Sequence, residues 1–246
     1  MLVACVLVAV APRTAKAEAV RAKAPAAHAW CGEGTEALPS DVCYIDGRGT
    51  SGRRTLVIWL HGVIAKDTNW SHNHEKMLAR VAKATGIEML FPKGVLGDKL
   101  YAWPGTAEAQ AKNEAALIEQ WMTAKALLEK RDDKKFDETF IFGFSSGAYF
   151  ASSLAMRGRA DVDGYAVFAG GQPMAKAATP AARFAPVYVG VCANDSTTVT
   201  HSRAFASSLA AAGIPRMVSE QKVGHDLSPT HFLGALAFLR SKTPRA

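Results

Sequence analysis

The stretch Thr139-Phe140-Ile141-Phe142-Gly143-Phe144-Ser145-Ser146-Gly147-Ala148 decides the fold of this chain. An apolar run typical of a buried strand leads into the pentad Gly-Phe-Ser-Ser-Gly, and an alanine- and serine-rich stretch typical of a helix leaves it. Such a unit strains the backbone of the central serine and raises its hydroxyl above the sheet. The tight turn requires glycine at positions 143 and 147, because a Cβ atom on Gly143 or Gly147 would collide with neighbouring backbone. The pentad alone also fits a plain Gly-Ser turn, but the flanking strand and helix favour the first interpretation.

Strand-like and helical segments alternate along the rest of the chain. The sequence predicts strands over residues 42–46, 55–60, 87–91, 164–169, 186–192 and 217–223. It predicts helices over 70–85, from a cap at Thr106 to about Arg131, over 201–212 and over 229–239, with a long loop over 93–105. This alternation indicates an α/β fold with a mostly parallel central sheet and helices on both faces. Only residues 170–185 separate two of the strands, which leaves no room for a large cap domain.

The N-terminal residues differ from the rest of the 246-residue chain. Residues 1–17 contain an apolar run followed by Ala15-Lys16-Ala17, which fits a signal-peptidase site, although no basic residue follows Met1. We expect a signal peptide over 1–17, with an N-terminal helix as the alternative, and a secreted or periplasmic protein. Residues 18–40 then form an exposed leader, and residues 41–246 form a single domain.

The cysteines agree with export. Cys31 and Cys43 bracket a short loop that a disulfide would close, and disulfides persist in oxidising compartments. Cys192 ends an apolar run and is most simply a buried free thiol.

Composition and charge argue against several classes of protein. The formal net charge is +7, but the basic residues are scattered and form no stripe interleaved with aromatic residues, so we expect no nucleic-acid partner. No apolar run reaches the length of a membrane span, so we expect no stable membrane insertion. His72 and His74 would point apart on a helix, so we expect no metal site, and nothing indicates a cofactor. We also expect a monomer.

A serine hydroxyl needs a general base within hydrogen-bond reach, and the base needs an orienting acid. His225 directly follows the last predicted strand and is the candidate base, with a surface loop histidine as the alternative. His201 and His231 are worse placed because both fall within predicted helices. Asp195 follows the strand before the penultimate helix and is the candidate acid, with a helix-capping or turn residue as the alternative.

The tetrahedral intermediate of acyl transfer needs two hydrogen-bond donors. One is expected from the backbone N–H of Ser146, directly after the candidate nucleophile. The other is expected from the loop after the strand at 55–60, where Gly62 permits a sharp path and Val63 offers its N–H group. We interpret His61 as a structural loop residue rather than a second base.

Taken together, Leu60-His61-Gly62, the pentad, Asn194-Asp195 and Gly224-His225 resemble the α/β-hydrolase superfamily, from about Arg54 to Leu239. Within it, the chain looks most like compact secreted esterases of the polyhydroxybutyrate depolymerase and feruloyl esterase type, followed by small carboxylesterases. Two features depart from the pattern of the subgroup. Residues 145–148 read Ser-Ser-Gly-Ala where many relatives have a second Gly, and no Trp shortly follows the histidine as it does in the depolymerases.

The resemblance implies a serine hydrolase that cleaves carboxylic esters, some of them attached to polymers, through an acyl-enzyme. The alternatives are a peptidase or acyltransferase on the same triad, or an inactive binding protein with the same fold. Trp70 and Trp103 lie in predicted loops, where they either wall a substrate pocket or pack loops onto the domain.

Overall fold

The computed structural model of the protein describes residues 30–39, 41–48, 52–66, 68, 70–172 and 184–243. The predicted signal peptide over 1–17 and residues 18–29 of the predicted leader lie outside these described residues, as does the side chain of Trp70. The predictions for them stay predictions.

The described residues form short strands and longer helices in alternation. The strands are β1 (Glu36–Leu38), β2 (Val42–Asp46), β3 (Thr55–Leu60), β4 (Ile64–Ala65), β5 (Glu88–Pro92), β6 (Val95–Leu96), β7 (Leu100–Ala102), β8 (Glu138–Phe144), β9 (Gly164–Phe168), β10 (Val187–Cys192) and β11 (Arg216–Gln221). The helices are α1 (Trp70–Thr85), α2 (Ala107–Arg131), α3 (Ser146–Arg157), α4 (Val199–Ala211) and α5 (Pro229–Lys242). Among the described helices, none has both the length and the apolarity that a membrane span requires.

Eight of these strands form one central sheet in the spatial order β1-β2-β5-β3-β8-β9-β10-β11. The pairs from β5 to β11 are parallel, whereas β1 and β2 add an antiparallel edge. The predicted α/β class and mostly parallel sheet are confirmed. The parallel order brings the carboxyl ends of β3, β8, β9, β10 and β11 to one edge, which is where such sheets bind ligands.

Helices cover both faces of the sheet because its central strands are apolar on both sides. In β3, Leu56 and Ile58 pack into a core with α2, α3 and α4. The alternate residues Val57 and Trp59 pack into a second core with α1 and α5. This period of two explains why the strand reads as an unbroken apolar run in the sequence.

The predicted loop over 93–105 is not wholly irregular. It contains β6 and β7, which pair with each other, and β7 also pairs with β4 to make a small antiparallel sheet. β1 was likewise not predicted. These strands have two or three residues, which is too few to show a period of two in the sequence.

Three contacts fasten the start of the described chain to the domain. Cys31 and Cys43 form a disulfide. The indole N–H of Trp30 donates to the carbonyl of Phe91 (3.1 Å), and the N–H of Gly32 donates to a carboxylate oxygen of Glu75 on α1 (3.0 Å). The segment before β1 is therefore tied to the sheet and to a helix. Its buried Trp30 and Cys31 differ from the exposed leader predicted over 18–40, because these contacts hold them against the domain.

Removal of the disulfide should destabilise the protein. On the chain-entropy model, a loop this short is worth about 3 kcal/mol. We expect the double variant Cys31→Ser, Cys43→Ser to lose about that much free energy of unfolding in urea denaturation. The wild type measured in thiol reductant should match the variant, and a variant as stable as the oxidised wild type would contradict the prediction.

Glu75 should make stability depend on pH. Burial raises its pKa to about 7, although the hydrogen bond from Gly32 acts in the opposite direction. A carboxyl with a raised pKa contributes stability that is full below its unfolded pKa of about 4.3 and is lost as the pH rises through about 7. Between pH 5 and pH 8, Glu75→Gln should therefore gain about 2 kcal/mol of unfolding free energy relative to wild type.

Urea denaturation at the two pH values measures this gain. Glu119→Gln, on the exposed side of α2, is the matched control and should show no such change. Equal stability differences at pH 5 and pH 8 for Glu75→Gln would show that Glu75 does not titrate in this range.

Candidate active site

Ser145 lies at the sharp turn between β8 and α3. Its backbone has φ 52° and ψ −117°, a conformation that side-chain-bearing residues rarely adopt. Hydrogen bonds from its N–H to the carbonyl of Phe168 (3.0 Å) and from the N–H of Ala148 to its carbonyl (2.9 Å) hold this conformation. The surrounding structure thus overcomes the strain that the turn imposes.

The two pentad glycines are required by close backbone contacts. A Cβ atom on Gly143 would lie 2.3 Å from the carbonyl oxygen of Gly147. A Cβ atom on Gly147 would lie 2.1 Å from the carbonyl oxygen of Leu60, at the end of β3. Both distances are far below any van der Waals contact, which agrees with the collision expected from the sequence.

His225 and Asp195 meet Ser145 at the carboxyl edge of the sheet. His225 follows β11, and its Nε2 lies 2.9 Å from the Ser145 Oγ. Its Nδ1 lies 2.6 Å from Oδ2 of Asp195, which follows β10. Residues separated by up to 80 positions in the chain therefore form one continuous line of hydrogen bonds.

The environment of Asp195 sets the direction of these bonds. Burial alone would raise its pKa, but hydrogen bonds from the Thr198 hydroxyl, His225 and the Thr197 N–H outweigh burial and lower the pKa. The ionised carboxylate accepts hydrogen bonds only, so the imidazole proton lies on Nδ1. The Nε2 of a neutral His225 is then unprotonated and accepts a hydrogen bond from the Ser145 hydroxyl.

Solved structures of other proteins share this architecture. No model of a known protein family matches the sequence, and no curated protein sequence matches it. A carboxylesterase from Mesorhizobium loti matches with a TM-score of 0.60 and 19% identity, over 85% of this chain and 98% of that chain. The Bacillus cereus carboxylesterase matches with a TM-score of 0.56 and 17% identity, over 82% and 93% of the two chains. The chain has the α/β-hydrolase fold.

A third match with the α/β-hydrolase fold is a dienelactone hydrolase-like promiscuous phosphotriesterase from metagenomic libraries. It has a TM-score of 0.58 and 15% identity, over 82% of this chain and 92% of that chain. At such identities the matches show the fold alone. The predicted likeness to polyhydroxybutyrate depolymerases and feruloyl esterases therefore stays a prediction.

The two predicted oxyanion donors border the same space as Ser145. Val63 and Ser146 both line the cavity that opens beside the Ser145 side chain. Within the described part of the chain, neither backbone N–H donates to another protein group. Both groups are therefore available for an oxygen atom bound next to Ser145.

His61 holds the loop that carries Val63. Its Nε2 accepts from the N–H of Gly94 (3.0 Å), so its Nδ1 carries the proton and donates to the carbonyl of Gly62. Burial lowers the pKa of His61 to about 4. Both ring nitrogens are occupied and the ring is neutral, which agrees with a structural role rather than that of a second base.

Trp103 lines the cavity and also belongs to the core. Its indole stacks on Phe150 with 6.0 Å between the ring centroids, and it meets Trp121 edge-on at 5.7 Å. Its Nε1–H donates to the carbonyl of His61 (2.9 Å). The residue is only 5% exposed. Trp103 therefore lines a cavity and also packs its loop onto the domain, whereas the side chain of Trp70 lies outside what the structure describes. The substrate-pocket role of both residues stays a prediction.

The cavity has a volume of about 590 Å³ and contains residues that the sequence analysis missed. Tyr149 and His201 line it, and the Tyr149 hydroxyl lies 2.5 Å from the His201 Nδ1. His201 lies in α4, as expected, but its helix borders the site. Tyr149 follows Ser145 by four positions on α3, and that helical spacing was the signal available in the sequence.

Neither a reactive thiol nor a metal-binding cluster is found beside this site among the described residues. Cys192 is a buried free thiol whose pKa is raised by burial, as the sequence suggested. Among the described residues, no three or more His, Cys, Asp or Glu side chains are grouped in a way that could hold a metal ion.

The close contact at Gly147 gives a direct test of this geometry. We expect Gly147→Ala to lose about 1–3 kcal/mol of unfolding free energy, because the added methyl meets the Leu60 carbonyl, which cannot rotate away. Gly105→Ala is the matched control, since no atom lies within 4 Å of its added Cβ. Urea denaturation of both variants measures the difference, and equal stabilities would refute the contact.

Proposed function

We propose that the protein is a serine hydrolase that cleaves carboxylic esters through an acyl-enzyme intermediate. The observation that carries this proposal is the line of hydrogen bonds from Ser145 through His225 to Asp195. The α/β-hydrolase fold and the structural matches to two carboxylesterases support it. In this proposal Ser145 is the nucleophile, His225 the general base and Asp195 the orienting acid.

Each step follows from the donors and acceptors at the site. The Ser145 Oγ attacks the ester carbonyl carbon while the His225 Nε2 takes the hydroxyl proton, and Asp195 stabilises the resulting imidazolium. The carbonyl oxygen becomes an anion that accepts hydrogen bonds from the N–H groups of Val63 and Ser146.

Collapse of this intermediate completes the cycle. The bond to the alcohol breaks, His225 returns its proton to the leaving oxygen, and the acyl group stays on Ser145. A water molecule then gives its proton to His225 and attacks the acyl carbon. The Ser145 Oγ leaves and takes the proton back, which releases the acid and restores the enzyme.

We also propose that the protein works outside the cytoplasm. The disulfide between Cys31 and Cys43 supports this location, because such bonds are rare in reducing compartments. The apolar run within residues 2–11 supports export in the same way.

Substitution of the proposed nucleophile should remove activity without unfolding the protein. We expect Ser145→Ala to lower kcat for p-nitrophenyl acetate at least about 10³-fold, and Asp195→Asn to lower it similarly by favouring the wrong tautomer of His225. Release of p-nitrophenolate measures the rate, and a fluorophosphonate probe should label the wild type and not Ser145→Ala.

Ser207→Ala, an exposed serine on α4, is the control and should keep the wild-type rate and labelling. A wild-type rate equal to that of Ser145→Ala would refute the proposal. Cleavage of peptide amides without ester turnover would replace the esterase assignment with that of a peptidase.

A further inference from the structure

A second cavity lies near the one beside Ser145 and borders the same helix, α3. It has a volume of about 400 Å³ and lies between α2 and α3. Gln172 lines both cavities, and its N–H donates to the Ser152 hydroxyl on α3 (2.8 Å). The two cavities therefore share Gln172 as a wall, and residues of α3 line both of them.

The side chains along α3 follow a regular spacing. Tyr149 lines the first cavity, and Ser153 and Arg157 line the second, each four positions after the one before, starting from Ser145. Residues four apart lie on one face of a helix. From Ser145 to Arg157 this face extends for about 18 Å. A ligand that extends from Ser145 along this face would lie first beside Tyr149 and then beside Arg157.

The cavity beside Ser145 suits the acyl part of an ester. Its described lining includes Ser145 and both proposed oxyanion donors, Val63 and Ser146, and does not include His225. The departing alcohol must lie next to His225 to receive its proton. The acyl chain is then the part of the substrate directed into the cavities.

The far cavity carries a surplus of positive charge. Arg157 and Arg159 both pair with the single buried carboxylate of Glu114, through Arg157 Nη1 (3.1 Å) and Nη2 and through Arg159 Nε (2.8 Å). Two guanidinium groups against one carboxylate leave a net charge of +1. These three are the charged side chains among the described residues that line this cavity.

Arg159 has donors to spare. Its side chain is 54% exposed, and within the described residues its two terminal nitrogens have no partner. Because Arg157 contacts both oxygens of Glu114, the carboxylate stays paired whichever way Arg159 turns. A free guanidinium edge beside a cavity is suited to a carboxylate, which it binds with two parallel hydrogen bonds.

We propose that the preferred substrate carries a carboxylate at the far end of its acyl chain, bound by Arg159. This inference rests on the proposed esterase function and adds a substrate class to it. In this proposal the acyl chain lies along α3 through both cavities.

The experiment compares p-nitrophenyl esters that differ only in the terminal group of the acyl chain. Each ω-carboxy ester, from the succinate to the dodecanedioate, is paired with its ω-carboxamide. We expect kcat/KM for the carboxy ester to exceed that for the amide about fivefold to tenfold at the longer lengths, and little at the succinate. High salt should reduce this ratio because the guanidinium is exposed.

Variants of Arg159 identify the group responsible. Arg159→Gln should bring the carboxy-to-amide ratio close to one, and Arg159→Lys should keep part of it, because a lysine retains the charge without the planar fork. Arg203→Gln is the matched control, since Arg203 is similarly exposed, is paired with Glu220, and is not among the described residues that line either cavity. It should keep the wild-type ratio.

A separate binding measurement distinguishes failure of this inference from failure of the proposed function. Calorimetry with Ser145→Ala should show that monomethyl sebacate binds about fivefold to tenfold tighter than its ω-amide, and that the added substitution Arg159→Gln removes the difference. Ester turnover with equal rates and affinities for acid and amide would overturn the carboxylate site alone. Absence of turnover and of probe labelling would overturn the esterase function, while the binding difference would still report on the site.

Discussion

The approach of α3 to the end of β3 is the contact on which the site depends. With no side chain at Gly147, its N–H reaches the carbonyl of His61 (3.1 Å), which also accepts from the Trp103 indole (2.9 Å). The backbone N–H of Trp103 donates to the Ser146 hydroxyl (3.0 Å). One carbonyl group thus joins the turn of Ser145, the loop of Val63 and the loop of Trp103.

The charged end of the site is held in a comparable way. Asp195 accepts hydrogen bonds from His225 and from two groups at the start of the α4 segment, Thr197 and Thr198. The Thr198 hydroxyl and the Thr197 N–H replace the water that an exposed carboxylate would bind. They keep the carboxylate ionised despite its burial, and they fix the direction in which it faces the imidazole.

The sequence predicted the sheet and the candidate residues Ser145, Asp195 and His225, because each of these features has a local sequence pattern. Continuous apolar runs mark strands buried on both faces, and the pentad, Asp195 and His225 each follow such a run. The pairing of Tyr149 with His201 has no local sequence pattern, since the two residues lie on different helices and are 52 positions apart in the chain. The surplus charge of Arg157 and Arg159 was equally hidden, because it depends on both sharing Glu114 across a helix interface.

The strained backbone of Ser145 affects which amino acids suit this turn. A left-handed φ of 52° is unfavourable for serine and ordinary for glycine. Replacement by glycine would relieve this backbone strain. The proposed nucleophile therefore occupies a position at which backbone conformation and chemistry favour different amino acids, and the backbone conformation alone would not preserve serine at this turn.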